Sequence, residues 1–219
     1  MVHGNQIDTG VIMMELTELC ERQAAFDART AQYLRLGFDQ FAAAAFVTTA
    51  AGPLSGPALD IGTGRGITAM ALASQGLDVV SVDIDAGEQS LAALLTEECG
   101  LQDQIRFVCS DASTLRFPDS YFGCATMMDM LHHLADPIPV LEEVSRVLKP
   151  AGTLLLADFS AQGFELVKRV LHEEGCEHPV SGVTLKSAEA FLSGKEFSPM
   201  AHCSDHYHEI VVLVKNAEH

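Results

Sequence analysis

The sequence predicts an α/β fold: a doubly wound, mostly parallel sheet preceded by N-terminal helices. Three observations carry this. From Ala58 onward, short apolar runs alternate repeatedly with helical stretches, the pattern of parallel strands covered on both faces. The first run, Ala58–Ile61, passes straight into a glycine turn, Gly62-Thr63-Gly64-Arg65-Gly66, that opens a helix. Carboxylates stand at the ends of three successive runs, at Asp60, Asp83 and Asp111, where such sheets bind their ligands.

From Thr9 to about Ala51 the apolar residues Ile12, Leu16, Leu19, Phe26, Tyr33, Leu34, Phe38 and Phe41 recur near helical spacing, which predicts two helices. Gly52-Pro53-Leu54-Ser55-Gly56-Pro57 interrupts the pattern. The chain therefore divides into an N-terminal helical segment, residues 1–52, and a main domain, residues 53–219. In that domain the strands are expected at Ala58–Ile61, Leu77–Val82, Ile105–Cys109, Gly123–Met128 and Thr153–Asp158. Helices are expected near Gly66–Ser74, Gly87–Glu98 and Pro137–Leu148, and after Asp158 near Gln162–Glu174 and Ser187–Leu192. Two closing strands, Pro199–Ser204 and His208–Val214, are joined closely enough to pair antiparallel, with a bend near Asp205.

With 219 residues the chain is long enough to bury one substantial core and an appendage. Thirteen basic against thirty acidic side chains give a net charge of −17, a field that repels phosphate backbones and anionic lipid headgroups and mildly attracts cationic ligands. Nucleic acid and membrane surfaces are therefore not the expected partners; a small molecule is. The six cysteines (Cys20, Cys99, Cys109, Cys124, Cys176, Cys203) form no C-x-x-C pair and read as reduced, cytoplasmic thiols. The first twenty residues lack the pattern of a leader, and Phe41–Ala51 is too short to span a bilayer.

The glycine turn lets a ligand approach the backbone, which defines a nucleotide-type pocket. A dinucleotide fingerprint needs glycine or alanine at position 67, where this chain has the branched Ile67. Asp60, two residues before Gly62, disfavours a pyrophosphate but suits a ligand bearing an ammonium or sulfonium. Asp83 lies twenty-one residues after Gly62, where a carboxylate accepts from ribose hydroxyls. Asp111-Ala112 can accept from an adenine amino group and donate to the ring. Taken singly, the turn is only a turn and each aspartate only a helix cap. Their shared order on successive strands points to a nucleoside site.

The segments Leu59-Asp60-Ile61-Gly62-Thr63-Gly64-Arg65-Gly66, Val82-Asp83-Ile84, Ser110-Asp111-Ala112, Phe117-Pro118-Asp119-Ser120-Tyr121-Phe122, Leu131-His132-His133-Leu134 and Leu148-Lys149-Pro150-Ala151-Gly152-Thr153 together resemble a class I S-adenosylmethionine-dependent methyltransferase. They are similar to the group that includes ubiquinone and menaquinone biosynthesis methyltransferases. The resemblance covers about residues 57–158. It implies a Rossmann-like, seven-stranded sheet whose last strand is antiparallel, with S-adenosyl-L-methionine as cofactor. By that similarity Gly62, Thr63, Gly64 and Gly66 would hold the methionine part, Asp83 the ribose, Ile84 the adenine face, and Asp111 and Ala112 the adenine edge. Met128 would lie beside the methionine moiety. The N-terminal helices and residues 159–199 would form the acceptor pocket. Two other readings stay open: an NAD(P)-dependent oxidoreductase, disfavoured by Ile67 and Asp60, and a binding module that keeps the cofactor pocket without turnover.

Methyl transfer from a sulfonium asks the protein mainly for alignment, exclusion of water and, for a weakly acidic acceptor, a base. His132, His133 and Asp129 follow the fourth strand and are the candidate bases, with capping or packing as the alternative. Phe26 and Tyr33 are candidates for the acceptor pocket, although with Phe38 they form a stripe that equally reads as core. In His202-Cys203-Ser204-Asp205-His206-Tyr207-His208, the residues His202, His206 and His208 share strand parity and could offer three imidazoles to a metal. Because the bend near Asp205 breaks that parity, His202 and His206 read instead as solvated or pocket-lining, and no metal is expected.

Overall fold

The computed structural model describes residues 9–177 and 179–217, with side chains described from Thr17 onward; Ile12 and Leu16 lie outside the described side chains. In chain order the elements are α1 (Thr9–Arg35), α2 (Gln40–Thr49), β1 (Ala58–Ile61), α3 (Ile67–Ala73), β2 (Val79–Asp83), α4 (Ala86–Glu98), β3 (Ile105–Cys109), β4 (Phe122–Met128), α5 (Ile138–Val147), β5 (Leu148–Phe159), α6 (Ala161–Glu173), α7 (Leu185–Ser193), β6 (Phe197–Asp205) and β7 (His208–Lys215). One seven-stranded sheet runs in the order β3-β2-β1-β4-β5-β7-β6. The first five strands are parallel, and β7 pairs antiparallel with both β5 and β6.

Each central strand is buried on both faces, which is why it reads as an unbroken apolar run. On one face Leu59, Ile61, Ala125 and Met127 meet the stripe Val140, Leu141, Val144 and Val147 of α5. On the other, Ala58, Val79 and Cys124 pack against Ala69 and Leu72 of α3 and Leu91 and Leu95 of α4. Complete burial of a leucine or phenylalanine contributes roughly 1.5–3 kcal/mol. The consecutive residues Leu154, Leu155 and Leu156 of β5, all wholly enclosed, serve both faces at once. Burial also pushes the Cys124 thiol up to about 12, whereas Cys20, Cys99, Cys109 and Cys176 are exposed.

Polar residues mark where elements begin. Asp39 caps α2, Asp85 caps α4 and Ser160 caps α6, each side chain accepting from a backbone N–H of the first turn. Arg146 of α5 donates to the carbonyls of Leu115 and Phe117 and to Asp119, tying down the stretch 115–119 that precedes β4. β5 begins five residues earlier than expected. Pro150-Ala151-Gly152 reads as a turn, yet Leu148 already pairs with Phe122 across an irregularity in which Ala151 takes φ +60°.

The chain moves from β1 outward to β2 and β3, then crosses back to place β4 on the other side of β1. That reversal leaves a crevice beyond the carboxyl ends of β1 and β4, the usual ligand position in such sheets. Among the described residues no helix is long and apolar enough to cross a membrane.

Candidate functional site

A cavity of about 450 Å³ occupies the crevice. Its walls include Gly62 and Gly64 after β1, Asp83 and Ile84 at the end of β2, Ser110, Asp111 and Ala112 after β3, and Met128, Asp129, Met130 and His133 after β4. That volume lies within the range of small-molecule sites. A second cavity, about 190 Å³, is bounded by Phe38, Gln40, Ala44, Thr63, Arg65, Ile67 and Thr68. It shares Gly62, Gly64, Met128 and Asp129 with the first.

The glycine turn needs glycine for different reasons at each position. Gly64 takes φ +47°, and a Cβ there would enter open space within the cradle. Gly66 takes φ +75°, and its Cβ would come within 3.0 Å of the Ala92 Cβ, so it seats the turn against α4 and does not reach either cavity. A Gly66→Ala variant should lose about 1–3 kcal/mol of stability from the left-handed backbone and the crowding, read by chemical denaturation. The Gly64 N–H donates to Asp83 Oδ2 at 3.0 Å, and the Asp85 N–H donates to Asp83 Oδ1 at 3.0 Å. The carboxylate is thereby fixed at the mouth, with lone pairs left for a ligand. Asp111 accepts from the Ser113 N–H at 2.8 Å, which holds its carboxyl below the usual range. Ile84 is 74% exposed, a large apolar surface at the rim that suits a flat base.

Several expected positions fall elsewhere. Asp60 does not line either cavity; within β1 it is 1% exposed and accepts from its cross-strand neighbours Ser81 Oγ at 2.7 Å and Thr126 Oγ1 at 3.1 Å. Burial pushes its carboxyl up to about 7 against those two hydrogen bonds. The strand alternation puts Asp60 on the same face as Ala58, away from the opening. His132 is also buried, its Nδ1 2.6 Å from Asp158 Oδ1, while its neighbour His133 reaches the cavity wall. Phe26 is core, packed on the α3–α4 side, and Tyr33 is core beside Phe38, with a ring separation of 5.2 Å. Phe38 itself serves both purposes, as packing and as a wall of the second cavity.

The three imidazoles of the closing hairpin part company. His202 Nε2 meets Glu189 of α7 at 2.8 Å, the His206 ring lies 5.4 Å from that of Phe46, and His208 Nε2 meets Asp129 Oδ1 at 2.9 Å. His206 and Tyr207 form the turn with φ +49° and +66°, which breaks the strand parity of the three histidines at the expected bend. Among the described residues no group of three or more metal-ligating side chains is found. Sequence reasoning did not single out Ser110, Met130 or Gln40 as site residues, and it weighed His208 only as a metal ligand, not as the partner of Asp129. Ser110 could have been read from its place beside Asp111; the others carry no local signal.

The switch-point cavity, its glycine cradle and its ring of carboxylates define a Rossmann-like nucleoside-binding domain. Residues 59–156 match the methyltransferase domain family. The chain is 34% identical over 155 residues to the demethylmenaquinone methyltransferase of Clavibacter sepedonicus, covering 68% of this chain and 59% of that protein. It is 26% identical over 162 residues to the ubiquinone biosynthesis O-methyltransferase of Psychrobacter cryohalolentis, covering 69% and 63%. The glycopeptide N-methyltransferase MtfA, crystallised with S-adenosylhomocysteine, superposes with a TM-score of 0.66 at 16% identity, covering 81% of this chain and 90% of that one. This chain therefore carries a methyltransferase domain at residues 59–156. It spans about three-fifths of the length of the two curated relatives.

Proposed function

We propose that the protein transfers the methyl group of S-adenosylmethionine to a small acceptor bearing a hydroxylated aromatic ring, of the quinol kind. The observation that carries this is the junction of the two cavities at Gly62, Gly64, Met128 and Asp129. One chamber is sized and charged for a cationic nucleoside, and the other abuts it where the methyl would emerge. When bound, the sulfonium supplies an activated methyl and takes the electron pair of the breaking carbon–sulfur bond. Asp83 accepts from the ribose hydroxyls, Asp111 and Ala112 meet the adenine edge, and Ile84 covers its face. The Gly62–Gly64 backbone, with Thr63 beside it, holds the methionine part.

On the acceptor side, residues 1–52 act as a cap, supported by Phe38, Gln40 and Ala44 in the wall of the second cavity. Asp129, which walls both chambers, orients the acceptor hydroxyl and receives its proton, with His133 on the wall of the first chamber as the other candidate base. The net charge of −17 favours a small acceptor over nucleic acid. The quinol class rests on the names of the two relatives.

Incubation with methyl-labelled S-adenosylmethionine and a panel of reduced quinones and catechols is expected to label at least one of them. Labelling of amine or thiol acceptors alone would overturn the acceptor class. Stabilisation by NAD(P) but not by S-adenosylhomocysteine would overturn the cofactor.

A further inference from the structure

We propose that the pair Asp129–His208 reads the charge of the cofactor, favouring the sulfonium over the discharged thioether and so helping the spent cofactor leave. This rests on the reading above and deepens it.

Proton accounting fixes the state of the pair. His208 Nδ1 lies 2.8 Å from the His206 carbonyl oxygen, which can only accept, so Nδ1 carries a proton. Its Nε2 lies 2.9 and 3.0 Å from the two carboxylate oxygens of Asp129, which also need a donor. A second proton must therefore sit between them. An imidazole is intrinsically more basic than a carboxylate, so that proton belongs to His208 and leaves Asp129 ionised. Burial is the largest single influence and works against the imidazolium, but Asp129, the His206 carbonyl and Asp158 together raise the His208 pKa. Burial likewise pushes the Asp129 carboxyl up, and His208 opposes this.

The surroundings hold this arrangement. His208 is wholly enclosed, between the rings of Phe38 at 5.8 Å and Phe159 at 4.8 Å. The other titratable groups acting on the pair are Asp158 of β5, His132 and Tyr33 of α1. In the second cavity the Arg65 guanidinium is engaged by Glu88, and His133 stands on the wall of the first. Asp129 takes φ +54°, a conformation that aspartate and asparagine tolerate best, and its N–H donates to the Ala157 carbonyl at 3.0 Å.

Only Asp129 of the pair faces ligand space: its side chain keeps 28% exposure, that of His208 none. Four residues wall both chambers, and Asp129 is the charged one. A sulfur that joins a nucleoside in one chamber to a methyl presented to the other must pass this junction. Before transfer the sulfur is cationic and is attracted to Asp129; after transfer it is neutral and the attraction is gone. His208 is a positioning residue, acting through Asp129.

The test is calorimetric titration of the wild type, Asp129→Asn and His208→Gln with S-adenosylmethionine and with S-adenosylhomocysteine, at pH 7.5 and 9. Asp129→Asn is expected to weaken the sulfonium compound roughly tenfold while leaving the thioether within about twofold. His208→Gln should show the same selective loss, smaller at pH 9 than at pH 7.5, as a half-buried carboxyl without its cation holds its proton to higher pH. An unchanged ratio of the two affinities in Asp129→Asn overturns the proposal, as does equal loss of both ligands. A wild type that binds neither compound overturns the proposed function and this inference with it.

Discussion

An Asp60→Asn variant is expected to be more stable than the wild type above pH 7, by up to about 4 kcal/mol, and to match it near pH 4. In the folded chain the Asp60 carboxyl ionises near 7, because burial outweighs the hydroxyls of Ser81 and Thr126, and the Asp83 charge adds to the rise. In the unfolded chain it ionises near 3.8. The native state thus holds a proton that the unfolded state releases between those two values. Stability is complete below the lower one and is lost as pH rises through the higher. Asparagine keeps the shape, removes the charge, and can still exchange hydrogen bonds with the two hydroxyls. Urea denaturation at pH 5 and pH 8.5 reads the difference; identical pH dependence of the two proteins would contradict it. The same reasoning explains why Asp60 is a poor fixed anion for a ligand.

Asp83→Ala is expected to weaken S-adenosylhomocysteine binding by about 1.5–3 kcal/mol, the scale of hydrogen bonds to a charged group. The loss has two sources. The ribose loses its acceptor, and the Gly64 and Asp85 amides lose the carboxylate that fixes the glycine turn to the end of β2. Calorimetry measures the first, and a thermal melt of the unliganded protein registers the second. Unchanged affinity would mean that the end of β2 does not meet the ribose.

Much of the architecture was legible because burial on both faces leaves an apolar signature. β1 and β3 fall where the runs begin and end, and the glycine turn and strand-end carboxylates locate most of the first cavity. What was not legible depends on which way a side chain turns. Asp60 and Asp83 look alike as acidic strand residues, yet one is sealed within β1 and the other fixed at the carboxyl end of β2 on the cavity wall. His132 and His133 are adjacent, and a short turn of 3-10 helix sends one inward and the other to the wall. His208 carries no local mark of its role, for its partner lies 79 residues earlier and meets it only because β7 inserts between β5 and β6.

That insertion has a bearing on how the polypeptide matures as it is made. Asp129 emerges from the ribosome well before the imidazole that balances it, a delay of roughly 4–16 s at ordinary elongation rates for those 79 residues. During that interval the carboxylate lacks its His208 partner and β5 has a bare edge. The nascent protein would pass through a stage with its crevice largely formed but the Asp129–His208 pair unmade, and this is when chaperone protection of the exposed edge would matter most.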